Sequence, residues 1–164
     1  MSLRRLSLYE LSEQVVEALK DRALTVSFAE SCTGGLLSKC ITDIPGASDV
    51  LPGGVCAYSN LIKYRVLGVD APTLDVYGAV SAPVALRMAR GVKKLMGSSF
   101  GVGTTGIAGP ASDNTEKPVG LVYIGLALPK GGYVVHEEHF SGSRDEIRTQ
   151  TAEKALGYLL HYLR

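Results

Sequence analysis

A three-layer α/β/α domain with a mixed, mostly parallel sheet is the fold this sequence predicts, on three observations. Short β-type runs alternate with amphipathic helical patterns through the first two thirds of the chain, the pattern of parallel strands joined by crossover helices. Two of those runs, about 24–29 and 99–105, end in turns rich in hydroxyl residues and glycine. Two later runs, 119–128 and 133–140, flank Pro129-Lys130-Gly131-Gly132, a hairpin signal that adds an antiparallel strand.

In chain order, Ser7 with Glu10 forms a capping-box pattern, and Leu8, Leu11, Val15, Val16 and Leu19 recur at helical spacing, so 7–22 reads as an amphipathic helix. The strand over 24–29 follows. A second helix is expected over 33–42, stopped by Pro45 and Gly46. A short strand over 53–58 precedes Ser59-Asn60, which caps a short helix carrying Lys63 and Tyr64. The stretch 70–79 reads as loop, with Pro72 and Gly78. Ser81-Ala82-Pro83 opens the next helix. After the strand over 99–105, residues 111–118 form a polar loop. Ser141-Gly142-Ser143 leads from the last strand into a helix over 144–163. No internal repeat or domain boundary interrupts the order, so 1–164 reads as one domain.

The chain has 164 residues, 46% hydrophobic and 20% charged, enough for a substantial core and too apolar for disorder. Its net charge of +1 leaves no electrostatic footprint for nucleic acid or an anionic membrane, and Arg4-Arg5 is too short for a basic arm. No apolar run is long enough to span a bilayer, and the N-terminus lacks the apolar core and cleavage site of a signal peptide. Cys32, Cys40 and Cys56 have no paired spacing, which suggests reduced thiols and a cytoplasmic location. With His only at 136, 139 and 161, no zinc-ligand spacing exists, and neither metal nor cofactor is expected.

Ser27-Phe28-Ala29-Glu30-Ser31-Cys32-Thr33-Gly34-Gly35 is the stretch around which the chain is organised. A strand ending in Ser, Thr and two glycines before a helix offers hydroxyls and unpaired N–H groups at the open end of a sheet. Thr33 and Gly34 could there hold an anion, and Ser31 could react. The plainer alternative is a strand–turn–helix junction capped by Ser31 or Thr33. A serine nucleophile needs a base. None of the histidines lies near a glycine-rich turn, so a Ser-His-Asp triad is poorly supported. Lys63 is the alternative, provided that burial or a neighbouring cation lowers its pKa; otherwise it is a surface helix lysine. Glu30 could be a base or a structural acceptor, and Cys32 is a rival nucleophile or a small buried residue. Thr105-Gly106 could donate to a substrate or oxyanion, or form only a tight turn. Arg144 and Arg148, one helical turn apart, could fork a phosphate or simply face solvent.

Several pieces together resemble the C-terminal domain of the CinA family, the nicotinamide-mononucleotide amidohydrolases. They are Ala29-Glu30-Ser31-Cys32-Thr33-Gly34-Gly35, Pro45-Gly46-Ala47-Ser48, Tyr58-Ser59-Asn60 with Lys63, Leu67-Gly68-Val69, Gly78-Ala79-Val80-Ser81, Thr105-Gly106-Ile107-Ala108-Gly109-Pro110, Lys117-Pro118-Val119-Gly120, and Arg144 with Arg148. They stand in family order along nearly the whole chain, without the pyrophosphatase-like N-terminal half of the longer form. The resemblance implies a three-layer α/β/α fold. It implies hydrolysis of the carboxamide of nicotinamide mononucleotide in pyridine nucleotide recycling, without metal. Ser31 would be the nucleophile and Lys63 its base. Tyr58, Thr105, Gly106, Arg144 and Arg148 would line the substrate site, joined by Ser48, and the chain would form a homo-oligomer. One departure from the family is Ala111-Ser112-Asp113-Asn114, where a glycine-rich stretch is usual. Two other classes stand beside the enzyme: a non-catalytic mononucleotide-binding module and an oligomeric interaction domain.

Overall fold

The structure is a computed structural model, and it describes residues 6–164; Arg4-Arg5 and the rest of the extreme N-terminus lie outside them. Helix α1 spans Leu8–Asp21, and its start is the expected capping box: Ser7 Oγ accepts from Glu10 N while the Glu10 carboxylate accepts from Ser7 N. Then come β1 (Val26–Glu30), α2 (Leu36–Thr42), β2 (Gly54–Cys56), α3 (Asn60–Leu67), α4 (Ala71–Tyr77), α5 (Ala82–Met96), β3 (Phe100–Gly106), β4 (Leu121–Ala127), β5 (Tyr133–His139) and α6 (Arg144–Leu163).

The strands form one five-stranded sheet in the order β2-β1-β3-β4-β5. β1 pairs in parallel with β2 and β3, whereas β3–β4 and β4–β5 are antiparallel, so only β4 runs against the others. The sheet is therefore mixed, as expected, with the antiparallel pairing supplied by the late hairpin.

Helices cover both faces. α1, α2 and α6 pack together on one face, over a core that includes Val15, Leu19, Phe28, Leu37, Ile41, Leu156 and Leu159. α3 and α5 cover the other, around Ala29, Leu67, Val84, Met88 and Val92, and α4 packs on α5. Phe28 and Ala29 are consecutive in β1 yet belong to opposite cores, as the two-residue period of a strand requires. α5 lies hard against the sheet because the strands beneath it are stripped of side chains. A Cβ at Gly103 would stand 2.5 Å from Ala85 O, and one at Gly101 would stand 2.0 Å from Ala89 O.

Two elements differ from expectation. The stretch 70–79 is not loop but contains α4, capped by Asp70, whose carboxylate accepts from Thr73 N and Thr73 Oγ1. Pro72 lies in its first turn, where the missing N–H costs nothing, and Gly78 ends it. The second helix begins at Leu36, not at 33, because Gly34 and Gly35 take φ values of +58° and +100°. Those left-handed residues hold 31–35 as a turn.

Candidate active site

β1 and β3 end side by side, with Ser31 N donating to Thr104 O at 3.0 Å, so the two hydroxyl-rich turns meet at the carboxyl edge of the parallel strands. That is where ligands sit in sheets of this kind. Glu30, the last residue of β1, is buried and turned to α2. One carboxylate oxygen accepts from Leu37 N at 2.8 Å; the other accepts from Ser38 N at 3.1 Å and Ser38 Oγ at 2.8 Å. α2 has glycine at its N-cap position and no side-chain cap there. Glu30 supplies what is missing, satisfying orphan N–H groups and meeting the positive end of the helix. Its role is the structural one of the two open to it, and neither Ser31 nor Thr33 caps the helix.

Ser31 follows in the turn. Lys63 reaches it from α3, a helix positioned by Ser59, whose Oγ accepts from Ile62 N. The Lys63 side chain is 1% exposed. Its Nζ donates to Ser31 Oγ at 3.0 Å, to Ala57 O at 2.8 Å and to Tyr58 O at 3.4 Å. All three partners are neutral. Burial pushes the Lys63 ammonium below its ordinary range, and neither Arg144 nor any other cation is needed to explain the shift. Cys32 lies next to the serine, but burial pushes its thiol up to about 12, leaving it essentially without thiolate at neutral pH.

Ser31 and Lys63 open into a cleft of about 200 Å³. Tyr58, Thr105, Gly106 and Arg144 line it too. Arg144 Nη2 donates to the Tyr58 hydroxyl at 3.0 Å and Nη1 to Gly109 O at 2.8 Å, tying the Tyr58 segment to the turn after β3. Thr105 is buried, and its hydroxyl donates to Ala79 O at 2.7 Å, holding that segment against the cleft. At Gly106 a Cβ would stand 2.6 Å from Val122 Cγ2, so the turn tolerates no side chain there. Asn60, Val80 and Asp113 also face the cleft, and sequence reasoning had not selected them. Asp113 belongs to the departing loop 111–114, and its type and position carried no signal by themselves.

Four expected substrate residues are not on this lining. Thr33 is buried, with its hydroxyl bonded to Thr104 Oγ1 at 2.8 Å. Gly34 faces Arg148: a Cβ there would lie 3.1 Å from Nη2. Arg148 donates from Nε to Cys32 O at 3.1 Å and from Nη2 to Thr33 O at 2.9 Å, so it grips the turn from the α6 side and does not fork with Arg144. Ser48 corrects the expectation most plainly. The chain must return to the amino edge of the sheet before β2 can run parallel to β1, and Ser48 lies on that return. There Val50 O accepts from Val26 N at the start of β1, at the far end from Ser31. Among the described residues no histidine lines the cleft: His136 stacks on Tyr158 with ring centroids 3.6 Å apart, and His139 bonds Glu137. Among the described residues no cluster of three His, Cys, Asp or Glu could hold a metal, and no helix is long and apolar enough to cross a membrane.

The family model of the CinA C-terminal domain matches residues 8–163. The chain belongs to that family. It is 51% identical over 154 residues to a Caldanaerobacter subterraneus subsp. tengcongensis protein bearing the name competence-damage inducible protein, a match covering 94% of this chain and 37% of the relative. It is 48% identical over 155 residues to a CinA-like protein of Anaeromyxobacter sp. (strain K), covering 94% of this chain and 38% of that one. The chain thus spans little more than a third of the length of these curated relatives. Among solved structures, the competence/damage inducible protein CihA from Agrobacterium tumefaciens superposes with a TM-score of 0.93 at 39% identity, covering 100% of both chains. A CinA superfamily protein from Enterobacter cloacae gives 0.96 at 26% identity, covering 100% of this chain and 96% of that one.

Proposed function

We propose that this CinA-family domain is a serine–lysine amidohydrolase that converts nicotinamide mononucleotide to nicotinate mononucleotide and ammonia, within pyridine nucleotide recycling. The observation that carries the reading is the 3.0 Å approach of buried Lys63 Nζ to Ser31 Oγ, with only neutral groups around the amine. A neutral lysine has two N–H groups and one lone pair. The carbonyls of Ala57 and Tyr58 accept the two N–H groups, which leaves the lone pair facing the Ser31 hydroxyl.

Ser31 Oγ attacks the carboxamide carbon while its proton passes to the Lys63 amine. The carbonyl oxygen becomes an oxyanion held by N–H groups of the turn that follows Ser31. Collapse breaks the C–N bond, and the Lys63 ammonium returns the proton to the departing ammonia. Water then attacks the Ser31 ester, gives a proton to Lys63, and the acid leaves as Ser31 recovers its proton. Arg144 and Tyr58, both exposed and on the cleft lining, would meet the ribose phosphate.

The test is ammonia release from nicotinamide mononucleotide, nicotinamide riboside and free nicotinamide. Release from the mononucleotide, absent in Ser31→Ala, supports the reading. Tight mononucleotide binding with no ammonia would make the domain a binding module instead.

A further inference from the structure

We propose that Arg148 is a positioning residue for the nucleophile turn, fixing the two peptide planes behind Ser31 so that its hydroxyl stays against Lys63, and is not a phosphate ligand. This rests on the reading of Ser31 as nucleophile. Beyond the Ser31–Cys32 peptide, two successive peptide units continue the turn, and Arg148 holds the carbonyl of each: Cys32 O at 3.1 Å through Nε and Thr33 O at 2.9 Å through Nη2. A peptide is planar and trans, so fixing a carbonyl fixes the N–H on the other side of the same plane, pointing the opposite way. The Cys32 carbonyl shares its plane with the Thr33 N–H. The Thr33 carbonyl shares its plane with the Gly34 N–H, which donates to Ser31 O at 3.0 Å and closes the turn on the nucleophile.

Arg148 approaches from α6, whereas Lys63 and Val80 reach the cleft from the α3 and α5 side of the sheet. The Cys32 carbonyl faces Arg148, so the Thr33 N–H in the same plane points away from it, within a residue that is fully buried. The Thr33 hydroxyl, bonded to Thr104 Oγ1, leaves the residue little freedom to turn. Gly34 makes the grip possible: at φ +58° it takes a conformation that side chains resist, and a Cβ there would press on Nη2 at 3.1 Å.

The experiment compares wild type with Arg148→Gln and Arg148→Lys, on nicotinamide mononucleotide and on phosphate-free nicotinamide riboside. The expected result is a fall in kcat of about 10–100-fold on both substrates, the size of effect that a misplaced reacting group gives. KM should stay within about twofold. The Thr33 amide should shift in its ¹H–¹⁵N spectrum and exchange faster with solvent. A KM increase confined to the phosphorylated substrate, or an unchanged kcat, overturns the proposal. If the wild type hydrolyses no amide, the serine-amidase reading alone fails, and the Thr33 resonance decides: unmoved in a folded variant, it refutes the positioning role. Should neither variant fold, the wild type is titrated with nicotinate mononucleotide. The Arg148 Nε–H signal should stay in place, and a shift as large as that of Arg144 overturns the assignment.

Discussion

Lys63 Nζ stands 3.0 Å from Ser31 Oγ although 32 residues separate the two in the chain. Parallel pairing of β1 with β2 produces the meeting. It carries the chain back to the same edge of the sheet, where α3 starts at Ser59 and turns its lysine inward. The pair is a product of topology, and its consequences can be measured one residue at a time.

The nucleophile is tested against its neighbour. Ser31→Ala should lower turnover at least ~10³-fold while leaving thermal unfolding unchanged, because covalent catalysis has no substitute group. Cys32→Ser should keep most activity, since a thiol held near 12 is almost wholly protonated at neutral pH. The reverse pattern in ammonia release would transfer the nucleophile's role to Cys32.

Glu30 is tested through stability. Its buried carboxylate takes three hydrogen bonds from the first turn of α2. Glu30→Ala should cost about 2–4 kcal/mol, since it strands buried donors as well as losing charged hydrogen bonds. Glu30→Gln keeps an acceptor oxygen and should cost roughly half as much. Denaturant midpoints at constant m-value report both; a loss below ~0.5 kcal/mol for Ala would show that the helix end is satisfied some other way.

Gly91 tests packing, with a sign opposite to helix propensity. Inside a helix, alanine normally improves on glycine by about 1 kcal/mol. Here a Cβ on α5 would stand 1.9 Å from the backbone oxygen of Leu67 at the end of α3. Gly91→Ala should therefore destabilise by about 1–3 kcal/mol. Because α3 also carries Lys63, kcat should fall with it. A stabilised, fully active variant would mean that the two helices separate freely.

These cases mark what the sequence made legible. The capping box and apolar periodicity at Ser7 announced α1, and the turn Ser141-Gly142-Ser143 announced the start of α6, because caps, turns and periodicity are local; the capping box that Ser143 forms with Glu146 came only with the structure. The alternation of strands and helices announced the layers. α4 was hidden because Pro72 and Gly78 read as punctuation, although Asp70 was an N-cap in plain view. In the cleft, Ser31, Lys63, Tyr58, Thr105, Gly106 and Arg144 converge as their motifs suggested. Ser48 does not, since being next along the chain says nothing about which end of the sheet a return loop reaches. Arg148 shares a helix face with Arg144, but its acceptors lie 116 and 115 residues away, beyond any periodicity argument.

Lys63 ties activity and stability to pH with a definite sign. Burial holds its pKa below the ordinary value of 10.5. A base must be neutral to accept the Ser31 proton, so kcat/KM should rise with pH through the lowered pKa and level off above it. Lys63→Arg should be nearly as damaging as Lys63→Ala, because a guanidinium keeps the charge and cannot give up its proton. An active Lys63→Arg enzyme changed mainly in KM would reduce Lys63 to an electrostatic role. The linkage runs the same way. Below the folded-state pKa both folded and unfolded chains carry the proton, and the buried charge weighs fully against folding. Between that pKa and 10.5 the unfolded chain binds more protons than the folded one, so stability contributed at this site increases with pH. Lys63→Met removes the titrating group, and its urea midpoint should lack that rise. If wild type and Lys63→Met follow parallel stability curves across the window, the amine is not desolvated enough to act as the base.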